Sequence, residues 1–106
     1  MDSQSLLDLN EIRNELDISK ETFNLIIKMA LEYKKSNNYI SNEELVDIIS
    51  ETMMLFDYND SISKNDEYTR EDQKNFDTLY GKRKSLRETF HSALCKLGYE
   101  DKTNFK

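Results

Sequence analysis

A chain of 106 residues, 37% hydrophobic and 34% charged, is one domain on length and buries about two-thirds of its unfolded surface in a single core. It lacks Pro, has two Gly and carries a net charge of −6, which favours helices over a turn-rich sheet and argues against general phosphate-backbone binding. No apolar run approaches the ~20 residues of a membrane span, the N-terminus lacks the basic and apolar regions of a signal peptide, and a lone Cys95 excludes an internal disulfide, so a cytoplasmic protein without membrane insertion is expected.

The first predicted helix covers about residues 5–16. Leu6, Leu9, Ile12 and Leu16 recur at helical spacing, and Ser5 followed by Asp8 suits its start. The segment DISKE breaks that pattern and offers Ser19 as the cap of a second helix, about 20–36, with Phe23, Ile26, Ile27, Ala30 and Tyr33 on one side. In YISNEEL, Ser41 and Glu44 have capping-box spacing, while Ile40 and Leu45 have the spacing of a hydrophobic staple. A third helix, about 42–56, is expected to bury Leu45, Ile48, Ile49, Thr52, Leu55 and Phe56 and to turn Glu43, Asp47 and Glu51 to water.

The oxygen-rich stretch LFDYNDSISKNDEY follows. With Asp57 as the first position of a twelve-residue calcium loop, Asn59, Ser61 and Asn65 fall on ligand positions. Ile62, however, stands where the sharp turn requires Gly, and Tyr68 where a bidentate Glu is needed. A solvated connection without metal is the expectation. A fourth helix over about 70–97 then aligns Phe76, Leu79, Leu86, Phe90, Ala93 and Leu97 in a seven-residue pattern that passes through Arg83 and keeps phase across Gly81. This predicts one long helix, bent or broken at Gly81. Gly98 suits a left-handed stop with Tyr99 packing back, and residues 99–106 form a short flexible tail. Together these elements predict an all-α, small antiparallel four-helix bundle with a long C-terminal helix.

Catalysis finds little support in these residues. His91 and Cys95 lie four apart but off the predicted seam, with no third group to complete a nucleophilic arrangement and no Gly-rich phosphate loop. A helix-turn-helix would present Ser41, Asn42, Glu43, Glu44 and Asp47 to phosphates, the wrong charge for a groove. The expectation is a non-enzymatic protein without a cofactor that binds a protein partner.

Charge suggests two faces for that partner. Residues 1–36 sum to −2, residues 37–77 to −8 and residues 78–106 to +4. The basic end holds Lys82, Arg83, Lys84 and Arg87. The acidic alternative is an inhibitor, of phage or plasmid type, that occupies a basic nucleic-acid site on an enzyme. It would use Glu43, Glu44, Asp47, Glu51, Asp57, Asp60, Asp66 and Glu67 as phosphate substitutes. A structural subunit that packs one helical stripe against a partner is a third reading, to which Met53 and Met54 are suited, although core filling explains them as well.

The segment GYEDKTNF, Gly98 to Phe105, resembles the tail of enterocin A-type bacteriocin immunity proteins, and DISKE and YISNEEL sit at roughly that family's positions. The strongly acidic segment 37–77 departs from the family. The resemblance implies a cytosolic bundle that acts from inside the cell on a membrane receptor–bacteriocin complex. It also implies that the last helix and tail set specificity, which points to Lys102, Thr103, Asn104 and Phe105.

Overall fold

The computed structural model describes residues 2–64, 70–81 and 84–99, excluding the side chains at 61–64, 72, 73, 76, 79, 80 and 84. Among the described residues there are five helices and no strand: α1 (Ser3–Glu15), α2 (Lys20–Ser36), α3 (Asn42–Lys64), α4 (Arg70–Tyr80) and α5 (Lys84–Leu97). The all-helical expectation holds.

Asp2, rather than Ser5, caps α1. Its carboxylate accepts from the Ser5 N–H at 2.7 Å, and that hydrogen bond is the main reason its pKa lies below the usual carboxylate value. The helix therefore begins two residues before the predicted start, because its cap lies ahead of the apolar period. Ser19 caps α2 as expected, its Oγ accepting from the Thr22 N–H at 3.1 Å.

Two helices end in the same way. At the end of α1, Ile18 N–H donates to Arg13 C=O at 3.0 Å and Asp17 N–H to Asn14 C=O at 3.3 Å. At the end of α5, Tyr99 N–H donates to Leu94 C=O at 3.0 Å and Gly98 N–H to Cys95 C=O at 3.3 Å. Both are Schellman closures and need a left-handed residue, supplied by Asp17 at φ 58° and Gly98 at φ 74°. Asp tolerates that conformation better than most L-residues, which is how DISKE turns the chain without glycine.

The start of α3 follows its local chemistry. Ser41 Oγ accepts from the Glu44 N–H at 3.1 Å, and Ile40 and Leu45 are both buried. Replacing Ser41 with Ala is expected to lower stability by about 1 kcal/mol without changing the fold. Urea unfolding of the two proteins checks this: the midpoint falls while the slope is unchanged.

The end of α3 corrects the sequence reading. Residues 57–64 are helical, not a solvated connection, and Asn59 is only 2% exposed. Neither Gly nor Pro interrupts this stretch, and the buried positions Leu55, Phe56 and Asn59 continue at helical spacing. Packing there overrides the weak helix propensity of Asp, Asn and Ser. The calcium-loop register therefore lies on helix, and its positions 65–68 are outside the described residues.

The α3 helix is the hub of the fold, packing against α1, α2, α4 and α5, while α2 also packs on α5. With neighbours around it, its buried arc is broader than one stripe: Leu45, Ile48, Ile49, Met53, Leu55 and Phe56 join a core completed by Leu9, Ile18, Phe23, Ile26, Ala30, Ile40, Leu86, Phe90, Ala93 and Leu94. Thr52 is buried within that arc and satisfies its hydroxyl on the Ile48 C=O at 2.6 Å.

Where the sequence predicts one long helix over 70–97, two helices are assigned. Gly81 follows α4, its N–H still donating to Asp77 C=O at 2.9 Å, and residues 82 and 83 lie outside the described ones. A Cβ at Gly81 would sit 3.0 Å from that carbonyl oxygen, a close approach that suits glycine there. Phe76, Leu79 and Arg83 of the predicted seam also fall outside the described side chains, whereas Leu86, Phe90 and Ala93 are buried as expected.

Candidate functional site

The C-terminal exit of the bundle is built on aromatic packing. Phe90 meets Phe56 edge-to-face, with ring centroids 5.4 Å apart and planes at 78°. Phe56 in turn meets Tyr99 at 5.8 Å and 82°, both geometries favoured by aromatic quadrupoles. The closure at Gly98 directs Tyr99 back onto α3, beside Phe56. Tyr99 thus packs back on the bundle as expected, with Phe56 as its seat. Lys102, Thr103, Asn104 and Phe105 lie outside the described residues, as do Lys82 and Arg83 and the side chain of Lys84. Arg87 is exposed on α5 and engaged in an interaction there.

The proposed acidic face is brought together only in part. Glu43, Glu44 and Asp47 are exposed on the first turns of α3. Glu51, expected on the same wet face, is 8% exposed and engaged within the fold, caught in the widened buried arc of α3. Asp57 and Asp60 are half-buried and likewise engaged, and Asp66 and Glu67 lie outside the described residues. Met53 is fully buried, so only Met54 of that pair meets solvent.

A polar cluster at the end of α2 was not anticipated. Asn37 Nδ2 donates to the Tyr33 C=O at 3.0 Å, and the Tyr39 hydroxyl donates to Asn37 Oδ1 at 3.2 Å. Tyr39 is nonetheless 78% exposed, and Lys34 Nζ reaches Asn42 Oδ1 to tie α2 to the start of α3. The segment SNN signalled only a turn, because the partners of its amides depend on how the chain folds back. Burial, then the charge of Glu88 and then Tyr39, raise the Tyr33 pKa above its ordinary 10.0. A phenol that holds its proton more tightly when folded loses stabilisation as pH rises through its unfolded value. Ultraviolet titration is expected to show a phenol that ionises above the ordinary tyrosine value, and that step should vanish in Tyr33→Phe; its persistence would assign it elsewhere.

His91 is half-buried beside the Phe90 ring, at a centroid distance of 5.9 Å, and the Cys95 thiol is free and exposed. Among the described residues no three His, Cys, Asp or Glu side chains converge as a metal site, and no helix is long and apolar enough to cross a membrane.

Compared with known proteins, this chain matches no family model, no curated protein and no solved structure.

Proposed function

We propose that this chain is a small non-catalytic binding protein that neutralises or adapts a protein partner, most concretely in the manner of a bacteriocin immunity protein. In this reading it works in the cytoplasm as an antiparallel four-helix arrangement. It presents residues 100–106, with the basic group around Arg87, to a membrane receptor complex. The observation that supports it is the anchored exit, where Gly98 turns the chain and Tyr99 seats it against Phe56. A recognition segment that starts from a fixed point loses less freedom on binding than one that starts from a loose end.

The test is affinity capture from membranes of the native host, comparing the full chain with one ending at Tyr99. That truncation keeps the aromatic anchor, so helical circular dichroism should be unchanged. A membrane sugar transporter retained by the full chain and lost with the truncation is the expected result. Equal retention by both chains overturns the proposal.

The exposed Glu43, Glu44 and Asp47 favour a second reading, an acidic inhibitor seated on a basic nucleic-acid site. It predicts a captured nucleic-acid enzyme that modest salt releases and that is indifferent to the tail.

A further inference from the structure

The elbow between α1 and α2 interrupts a helix without interrupting its apolar phase. Leu9, Ile12, Leu16, Ser19, Phe23 and Ile26 follow alternating steps of three and four residues from one helix into the next. All but Ser19 are apolar and lie in or against the core. That spacing is the seven-residue seam of one continuous helix. Both α1 and α2 pack on α3, so the two halves of the seam meet the same partner helix.

A second observation is the backbone at Asp17. Its φ of 58° places a residue with a side chain in the left-handed region, which Gly98 occupies without that penalty at the end of α5. Neither Gly nor Pro stands between α1 and α2, so the sequence permits a helix through the elbow. With Asp17 in the right-handed region, the strain is relieved and the Ser19 and Lys20 amides join the helical ladder. Residues 3–36 then form a single helix. What is given up is the Ser19 cap, the burial of Ile18 and the clasp of Arg13 across the elbow. That clasp is a long bond from Arg13 Nη1 to the Ile18 C=O at 3.4 Å, with the guanidinium 5.6 Å above the Phe23 ring.

From these features we infer that the α1–α2 elbow is an exchange hinge. It opens into one straight helix that carries α1 onto α3 of a second copy of this chain, and the exchange is reciprocal. The occupant follows from the chain itself, because α3 of a second copy offers α1 the same seat that it fills at home. The contacts of α1 on α3 are therefore kept in the dimer, and only the elbow differs. The balance between closed monomer and exchanged dimer is set by residues 17–19 and by protein concentration.

Sedimentation equilibrium of the full chain from micromolar to millimolar concentration tests the hinge, with residue 17 as the lever. Asp17→Gly suits the left-handed turn and weakens the straight helix at both elbows of a dimer, so its dimer should dissociate at least roughly tenfold more readily than the parent's. Asp17→Ala has the opposite preferences and should tighten the dimer by a similar factor. Ser19→Leu fills the polar seam position and removes the cap, so it should tighten the dimer as well, and it serves as the second lever if Asp17→Ala does not fold. Glu11→Ala, exposed on α1 away from the hinge, should dimerise as the parent does. Isotope-filtered magnetic resonance on dimers mixed from labelled and unlabelled chains separates exchange from side-by-side pairing. Contacts between Leu9 and the α3 methyls should cross from one chain to the other, and the Asp17 Cα shift should become helical. Dimers whose α1–α3 contacts stay within one chain, dimers indifferent to residues 17 and 19, or a monomer in the parent and every variant up to millimolar concentration would each overturn the inference. None of these outcomes depends on the tail.

Discussion

Replacing Phe90 with Ala is expected to destabilise the protein by about 3–5 kcal/mol, the range for emptying a fully buried aromatic site. Phe90 is completely buried on α5 and meets Phe56 edge-to-face at 5.4 Å. The loss has two parts: the transfer energy of the ring, and a cavity that α2, α3 and α5 cannot fully close. Because Phe56 also carries Tyr99, the vacancy weakens the support of the C-terminal exit. A domain of this size holds about 5–15 kcal/mol in total, so this one change removes a large share of it. Urea unfolding should show the midpoint falling by at least roughly 1 M. A loss below about 1 kcal/mol would mean that the ring contributes little to the core.

The second large effect comes from adding volume rather than removing it. Ala30 on α2 and Ala93 on α5 are both fully buried, on helices that pack against each other. Leucine at either position has no space without shifting a helix or forcing side chains off their rotamers, a cost of about 1–3 kcal/mol or more. For a domain near this length each kcal/mol lowers the melting temperature by roughly 4–8 °C, so Ala93→Leu should melt visibly lower. Lys96→Leu, one turn along and exposed, should stay within about 0.5 kcal/mol of the parent. If Ala93→Leu melted with the parent, the α2–α5 contact would have to be loose at that point.

These residues also show where sequence reading succeeds and where it stops. Ser19, the Ser41 cap with its Ile40–Leu45 staple, and the Gly98 stop were legible because each is chemistry among residues at most five apart. The buried identity of Phe90, Ala93, Ile26 and Ile48 was legible from period alone. The helical state of 57–64 and the burial of Glu51 were not, since both follow from α3 being surrounded by other helices. Periodicity sees one stripe where the fold makes a wide arc. At the C-terminus the anchor of the tail was half legible, with Tyr99 anticipated and its seat on Phe56 not.

Hydrogen exchange on the full chain, free and in its captured complex, tests the proposed binding role most directly, because amides that become ordered against a partner exchange more slowly. The expected result is slowed exchange over residues 100–106, with residues 42–47 of α3 exchanging as in the free protein. Protection gained at 42–47, with the tail unchanged, would contradict it and place the partner on the acidic face instead.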